Sequence, residues 1–157
     1  MARTVEVTHR IWIGAPVETV QSQFADLYHH IDTNVHPKLH FELLERRPRG
    51  ARFVQEVRLL GLRQRDIFER SIGADGSIDD VSVEGFNRGG RLSIRFTPER
   101  AGTSVEITVR LPLPPVIGSL VRPLLEAQIR KEVRAAALED KFDLEQRGYP
   151  AGLPLAA

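Results

Sequence analysis

The chain has 157 residues, 41% of them hydrophobic, which suits one compact domain with a real apolar core. Lys and Arg number 22 against 21 Asp and Glu, so the formal charge is +1 and no broad basic face is left to neutralise the phosphates of nucleic acid or an anionic membrane. Cysteine is absent, which excludes disulfides, thiolate catalysis and thiolate metal sites together, so any metal falls to His, Asp or Glu.

The opening "MARTVEVTHRIWIGAP" has no apolar run of signal-peptide length, and no segment reaches the roughly 18 consecutive apolar residues of a membrane span, so the chain reads as soluble and cytoplasmic. From Val5 to Ile13, the residues Val5, Val7, His9, Ile11 and Ile13 alternate with polar ones or Trp12, the period of a half-buried strand, with His9 on the apolar face. In "GAPVETVQSQFADLYHHI" the spacing of Val17, Val20, Phe24, Leu27 and Ile31 predicts an amphipathic helix, with Pro16 in its first turn. A turn follows, and Pro37 opens a second short helix in "VHPKLHF".

After Arg46 the punctuation "RPRG", "LLGL", "GADG", "NRGG" and "ERAG" separates short runs of β-formers, predicting about six antiparallel strands. "RLPLPPVIGSL" ends the sheet, and a long helix is predicted from about Val116 to Arg147. Its core stripe is Val121, Leu125, Ile129, Val133, Ala136, Asp140 and Leu144. A single domain over residues 1–147 and a loosely ordered tail at 148–157 complete the layout.

The strand followed by Ala-Pro-x-Glu-x-Val and a helix, the strand count and the long last helix together resemble the START and Bet v 1-like (SRPBCC, polyketide cyclase-like) superfamily. That resemblance implies an α+β helix-grip fold: a curved antiparallel sheet of about seven strands wrapped around a long C-terminal helix, with two short helices after the first strand. It also implies an apolar cavity between sheet and helix, expected to be lined mostly by aliphatic residues because aromatics are only 6% of the chain.

Four of the five histidines (His29, His30, His36 and His40) fall in "LYHHIDTNVHPKLHF". His29 and His30 have a plain role available at a helix C-terminus, where imidazolium meets the helix dipole. His36 and His40 lie four apart, so on a helix they project from one face, as two ligands of one metal do. Asp140, a carboxylate inside an apolar stripe, requires a partner: an arginine such as Arg58, Arg70 or Arg95, or a metal held by the histidines. Glu139 and Asp143 are expected to be solvated. Glu56, Glu69 and Glu84 sit mid-strand with no face assigned, and Tyr28 beside the cluster offers a phenolic hydroxyl.

"DLYHHIDTNVH" and "LEDKFDLEQRGY" are similar to the metal-binding segments of the catalytic domain of Rieske-type aromatic-ring oxygenases, which belong to the same superfamily. That resemblance implies an iron site with an aspartate ligand at Asp140. Position 34, where the second histidine of the motif falls after His29, is Asn34, and no cysteine is present to build an iron–sulfur electron donor.

The sequence therefore supports a metal-dependent enzyme with His36, His40, Asp140 and His30 as ligands to Fe or Zn, and with His30 and Tyr28 as catalytic groups. Its substrate would be a small hydrophobic, aromatic or polyketide-like molecule. A metal-free cyclase or dehydratase with His9, His30 or His40 as general base, and a hydrophobic-ligand carrier without chemistry, are the alternatives. No nucleotide cofactor is expected, since no phosphate-loop spacing occurs. A homodimer is compatible with the sequence.

Overall fold

The expected alternation at the N-terminus is realised in β1 (Thr4–Ile13), which buries Val5, Val7 and Ile13. The structure is a computed structural model that describes residues 3–113 and 120–149. After β1 come α1 (Val17–Ala25) and α2 (Leu27–Asp32), then β2 (His40–Arg47), β3 (Gly50–Leu59), β4 (Leu62–Ile72), β5 (Ile78–Gly85), β6 (Arg91–Glu99), β7 (Gly102–Pro112) and α3 (Arg122–Glu145). The strands form one antiparallel sheet in the order β1-β7-β6-β5-β4-β3-β2, so the chain closes by pairing its first strand with its last. This is the expected helix-grip layout.

Tight turns set the register of the hairpins. Leu60 and Gly61 between β3 and β4, and Arg100 and Ala101 between β6 and β7, all have positive φ, the left-handed pair that matches the twist of the flanking strands. α3 lays its apolar stripe across the sheet, burying Leu125, Ile129, Ala137 and Leu144. Its middle packs with Ile13, Val20, Phe24, Ile78 and Val105, and its first turns with Val5, Val7 and Leu59. A separate cluster of Leu27, Ala51, Phe53 and Phe68 sits under α2.

Three expectations need correction. The single helix expected to run to Ile31 breaks at Asp26, whose side chain accepts from the His29 backbone N–H at 3.0 Å and so caps a new helix, α2. Pro37 opens no helix: residues 33–38 are turns and bends, and His40 already starts β2. The first of the strands expected after Arg46 thus begins six residues earlier. The expected start of the last helix near Val116 lies outside the described residues, as do residues 150–157 of the expected tail. Tyr149, however, is held, its hydroxyl donating to Asp26 Oδ2 at 2.8 Å.

Candidate functional site

The concave face of the sheet and the underside of α3 enclose a cavity of about 200 Å³. Val57, Leu92, Ile107, Val109, Ile129 and Val133 supply aliphatic wall, as expected. The rest departs from expectation. Phe24, Phe41 and Phe68 also line it, and so does a band of polar side chains from β3, β4 and β5, including Gln55, Asp66, Arg70 and Asp80.

His30, His36 and Asp140 meet at this cavity, all buried, each offering a ligand atom within 4.8 Å of the others. They arrive from three elements. α2 turns Leu27 and His30 inward because residues three apart share a helix face. His36 sits in the loop after α2, and Asp140 is on the core face of α3.

The hydrogen bonds fix the direction of each ring. His30 Nδ1 donates to the Asp26 carbonyl at 2.8 Å, and its Nε2 lies 2.9 Å from Asp140 Oδ1. His36 Nδ1 donates to Glu139 Oε1 at 3.1 Å, and its Nε2 lies 3.4 Å from Asp140 Oδ2. Both imidazoles thus spend Nδ1 on an acceptor and aim Nε2 at one carboxylate. A ring held this way either carries a second proton, which it donates to Asp140, or offers the Nε2 lone pair to a cation shared with it. Ligand atoms about 2.0–2.2 Å from one ion lie roughly 3 to 3.5 Å apart; the two Nε2–carboxylate distances are of that size, and the three residues together offer ligand atoms within 4.8 Å.

Gln23, on α1, completes the surroundings. Fully buried, it donates from Nε2 to Asp140 Oδ1 and to Asp143 Oδ2, both at 3.0 Å. Asp143 is 1% exposed and accepts from His29 Nε2 at 2.6 Å, which corrects the expectation that it is solvated. Glu139 is likewise engaged with His36 rather than free.

Asp140 is therefore not paired with an arginine. Arg70 makes a buried bidentate pair with Asp80, at 2.8 and 2.9 Å, and Arg95 reaches Asp79. His40 is exposed at the start of β2, outside the group, because its segment is strand and not helix. Tyr28 is 61% exposed with the Arg46 guanidinium over its ring, since α2 points position 28 away from the core. His9 lies in a groove beside Arg130 and Arg134, away from the cavity; burial first, and those cations second, lower its pKa. Glu56 and Glu69 pair with arginines on the outer face of the sheet. Gln23 was not singled out from the sequence, although it is fully buried on α1.

Burial opposes charge on both partners of the site, and pairing outweighs it. Buried His36 is held above the ordinary imidazole value of 6.5 by the carboxylates of Asp140 and Glu139. Buried Asp140 is held well below the usual carboxylate range by hydrogen bonds from His30 and His36 and by their charge. In metal-free protein, Asp140 contributes stability that is present above its ordinary 3.8 and lost as pH falls through its folded value. His36 contributes stability that is complete below 6.5 and lost as pH rises through its raised value. The apo chain should then melt lower on the alkaline side of neutrality than in mild acid, and His36→Gln should flatten that alkaline limb. Thermal melts in chelator across the pH range check this; an unchanged alkaline limb in the variant would count against it.

No protein-family model matches the chain, and no curated protein matches it in sequence. Solved structures do match in fold. TTHA0849 from Thermus thermophilus superposes with a TM-score of 0.79 at 22% identity, over 87% of this chain and 94% of that one. The Zhui aromatase/cyclase from a Streptomyces superposes with a TM-score of 0.79 at 20% identity, over 96% and 99%. A START superfamily protein from Mycobacterium smegmatis gives 0.69 at 18%, over 85% and 94%. The chain has the helix-grip fold of START and Bet v 1-like proteins. Among the described residues, no helix is long and apolar enough to cross a membrane.

Proposed function

We propose that this chain is an enzyme that takes a small aromatic or polyketide-like molecule into its cavity and acts on it with a divalent metal, iron or zinc, held by His30, His36 and Asp140. One observation carries the reading: two buried imidazoles, each with Nδ1 already engaged, direct Nε2 onto a single buried carboxylate at the cavity wall. That is the usual orientation of metal-ligating histidines, whose other nitrogen is fixed by a carbonyl or carboxylate. Bound there, such an ion supplies Lewis-acid polarisation of a substrate oxygen or activation of water or dioxygen. The chain itself supplies a chamber with an aliphatic and aromatic wall and a polar band, and Gln23 holds the Asp140 carboxylate in place. The polyketide-like substrate class is drawn from the likeness to the Streptomyces aromatase/cyclase.

A second reading, metal-free acid–base chemistry by a His–Asp pair, is favoured by the 2.9 Å contact between His30 Nε2 and Asp140. The two separate on metal content. Untagged protein purified without chelator is expected to carry about one iron or zinc per chain, and stripped protein to take up one equivalent in a calorimetric titration. Less than a tenth of an equivalent in both experiments would overturn the metal reading.

A further inference from the structure

β4 turns Gln64, Asp66, Phe68 and Arg70 toward the interior, and Asp66 is the member with a vacancy in its bonding. It is 3% exposed and lines the cavity. Among the described residues no Lys, Arg or His nitrogen lies within 4.0 Å of its carboxylate. Its Oδ1 accepts from Ser82 Oγ at 2.9 Å and from the Asn87 backbone N–H at 2.7 Å, while Oδ2 accepts only from Asn87 Nδ2 at 2.9 Å. Asn87 is itself fixed by donating to Gln64 Oε1 at 2.8 Å. The turn after β5 closes over Asp66 through Gly85, whose φ of 122° suits glycine and where a Cβ would strike the Arg65 carbonyl and Asp66. The carboxylate is thus rigidly held, buried and one donor short of the roughly four it can accept. Such a group is satisfied at both oxygens and still has room on Oδ2 for one more donor arriving from the cavity.

A row of aromatic rings, with Phe41 and Phe68 at the cavity and Phe53 buried behind them, runs between it and the histidines. Phe41 lies 6.3 Å from the His36 ring, Phe53 lies 6.1 Å from Phe41, and Phe68 stacks on Phe53 at 5.7 Å. Asp66 is the next inward residue on β4, about 7 Å beyond Phe68. We infer that Asp66 is a ligand-recognition residue: it accepts a hydrogen bond from a hydroxyl or protonated amine on an aromatic compound whose other edge faces His30, His36 and Asp140. This rests on the reading of the cavity as an aromatic-ligand site and narrows it, from apolar rings in general to rings that carry a hydrogen-bond donor away from the reacting edge.

The test is titration of the full chain with naphthalene, naphthol and naphthylmethylamine, followed by calorimetry or naphthyl fluorescence. One of the two donor-bearing probes is expected to bind about 10- to 100-fold more tightly than naphthalene, the range of a hydrogen bond to a charged group. Which one does so tells hydroxyl from ammonium. Asp66→Asn keeps an oxygen for Ser82 and the Asn87 N–H. It should bring the probes within about twofold of one another, with naphthalene affinity and metal content at wild-type level. Equal binding of all three probes to wild type, or a full preference retained in Asp66→Asn, overturns the inference alone. Failure of every probe to bind overturns the aromatic-ligand reading and the inference with it. If Asp66→Asn does not fold, the wild-type comparison decides.

Discussion

Asp140→Asn is expected to lower metal affinity on the order of 100-fold or more, beyond the 10- to 100-fold typical of losing a group that only supports a ligand. The change removes the one carboxylate on which His30 and His36 converge but keeps the side chain's volume and an oxygen for Gln23 Nε2. It leaves no buried carboxylate without a partner, so the fold should survive at neutral pH. His36→Ala should be as damaging to metal affinity, because it too removes a ligand. His40→Ala should leave affinity at wild type, since that residue is exposed at the start of β2. His29→Ala should have a smaller effect than His36→Ala, acting through Asp143 and Gln23. Competition with a chromophoric chelator ranks the variants; His40→Ala behaving like Asp140→Asn would contradict the assignment.

The second large effect concerns stability. Arg70 and Asp80 are both nearly inaccessible, and Arg70 also donates to the Phe24 carbonyl at 3.2 Å and lies over the Phe53 ring. Arg70→Met leaves Asp80 charged, buried and without its cation, which should cost about 3–5 kcal/mol. A domain of this kind has about 5–15 kcal/mol in all, so the loss is a large fraction of the total. Arg70→Met with Asp80→Leu removes both charges and should be less destabilised than either single change. Urea unfolding of the four proteins measures the coupling. Additive losses would mean that the pair is not the tight, desolvated unit described.

The fold was legible because its signals are local. Period-two alternation from Val5 to Ile13, turn residues between strands and a long stripe in the last helix each act within a few residues. The site was legible in part. Asp140 stood out as a charge in an apolar stripe, and crowded histidines pointed to the same place, but the choice among them depended on where helices end. Asp26 could have given that away: an aspartate three residues before the backbone N–H it caps is a strong start signal, and a helix restarting there turns His30 inward and Tyr28 outward. Asp143 was equally readable, being three residues from Asp140 on the same helical face. Gln23 and the polar band of Asp66, Arg70 and Asp80 were not. Gln23 finds its partners on α3, 117 and 120 residues away. In β3 to β5, polar residues occur on both faces, so alternation alone does not tell the inner one.

Anomalous diffraction from crystals of the untagged chain, recorded on both sides of the iron and zinc absorption edges, tests the metal centre most directly. One strong peak is expected within bonding distance of His30 Nε2, His36 Nε2 and an Asp140 oxygen, at about 2.0–2.2 Å from each. A featureless map at both edges, with both imidazoles hydrogen-bonded straight to Asp140 in crystals grown with added metal, would contradict it.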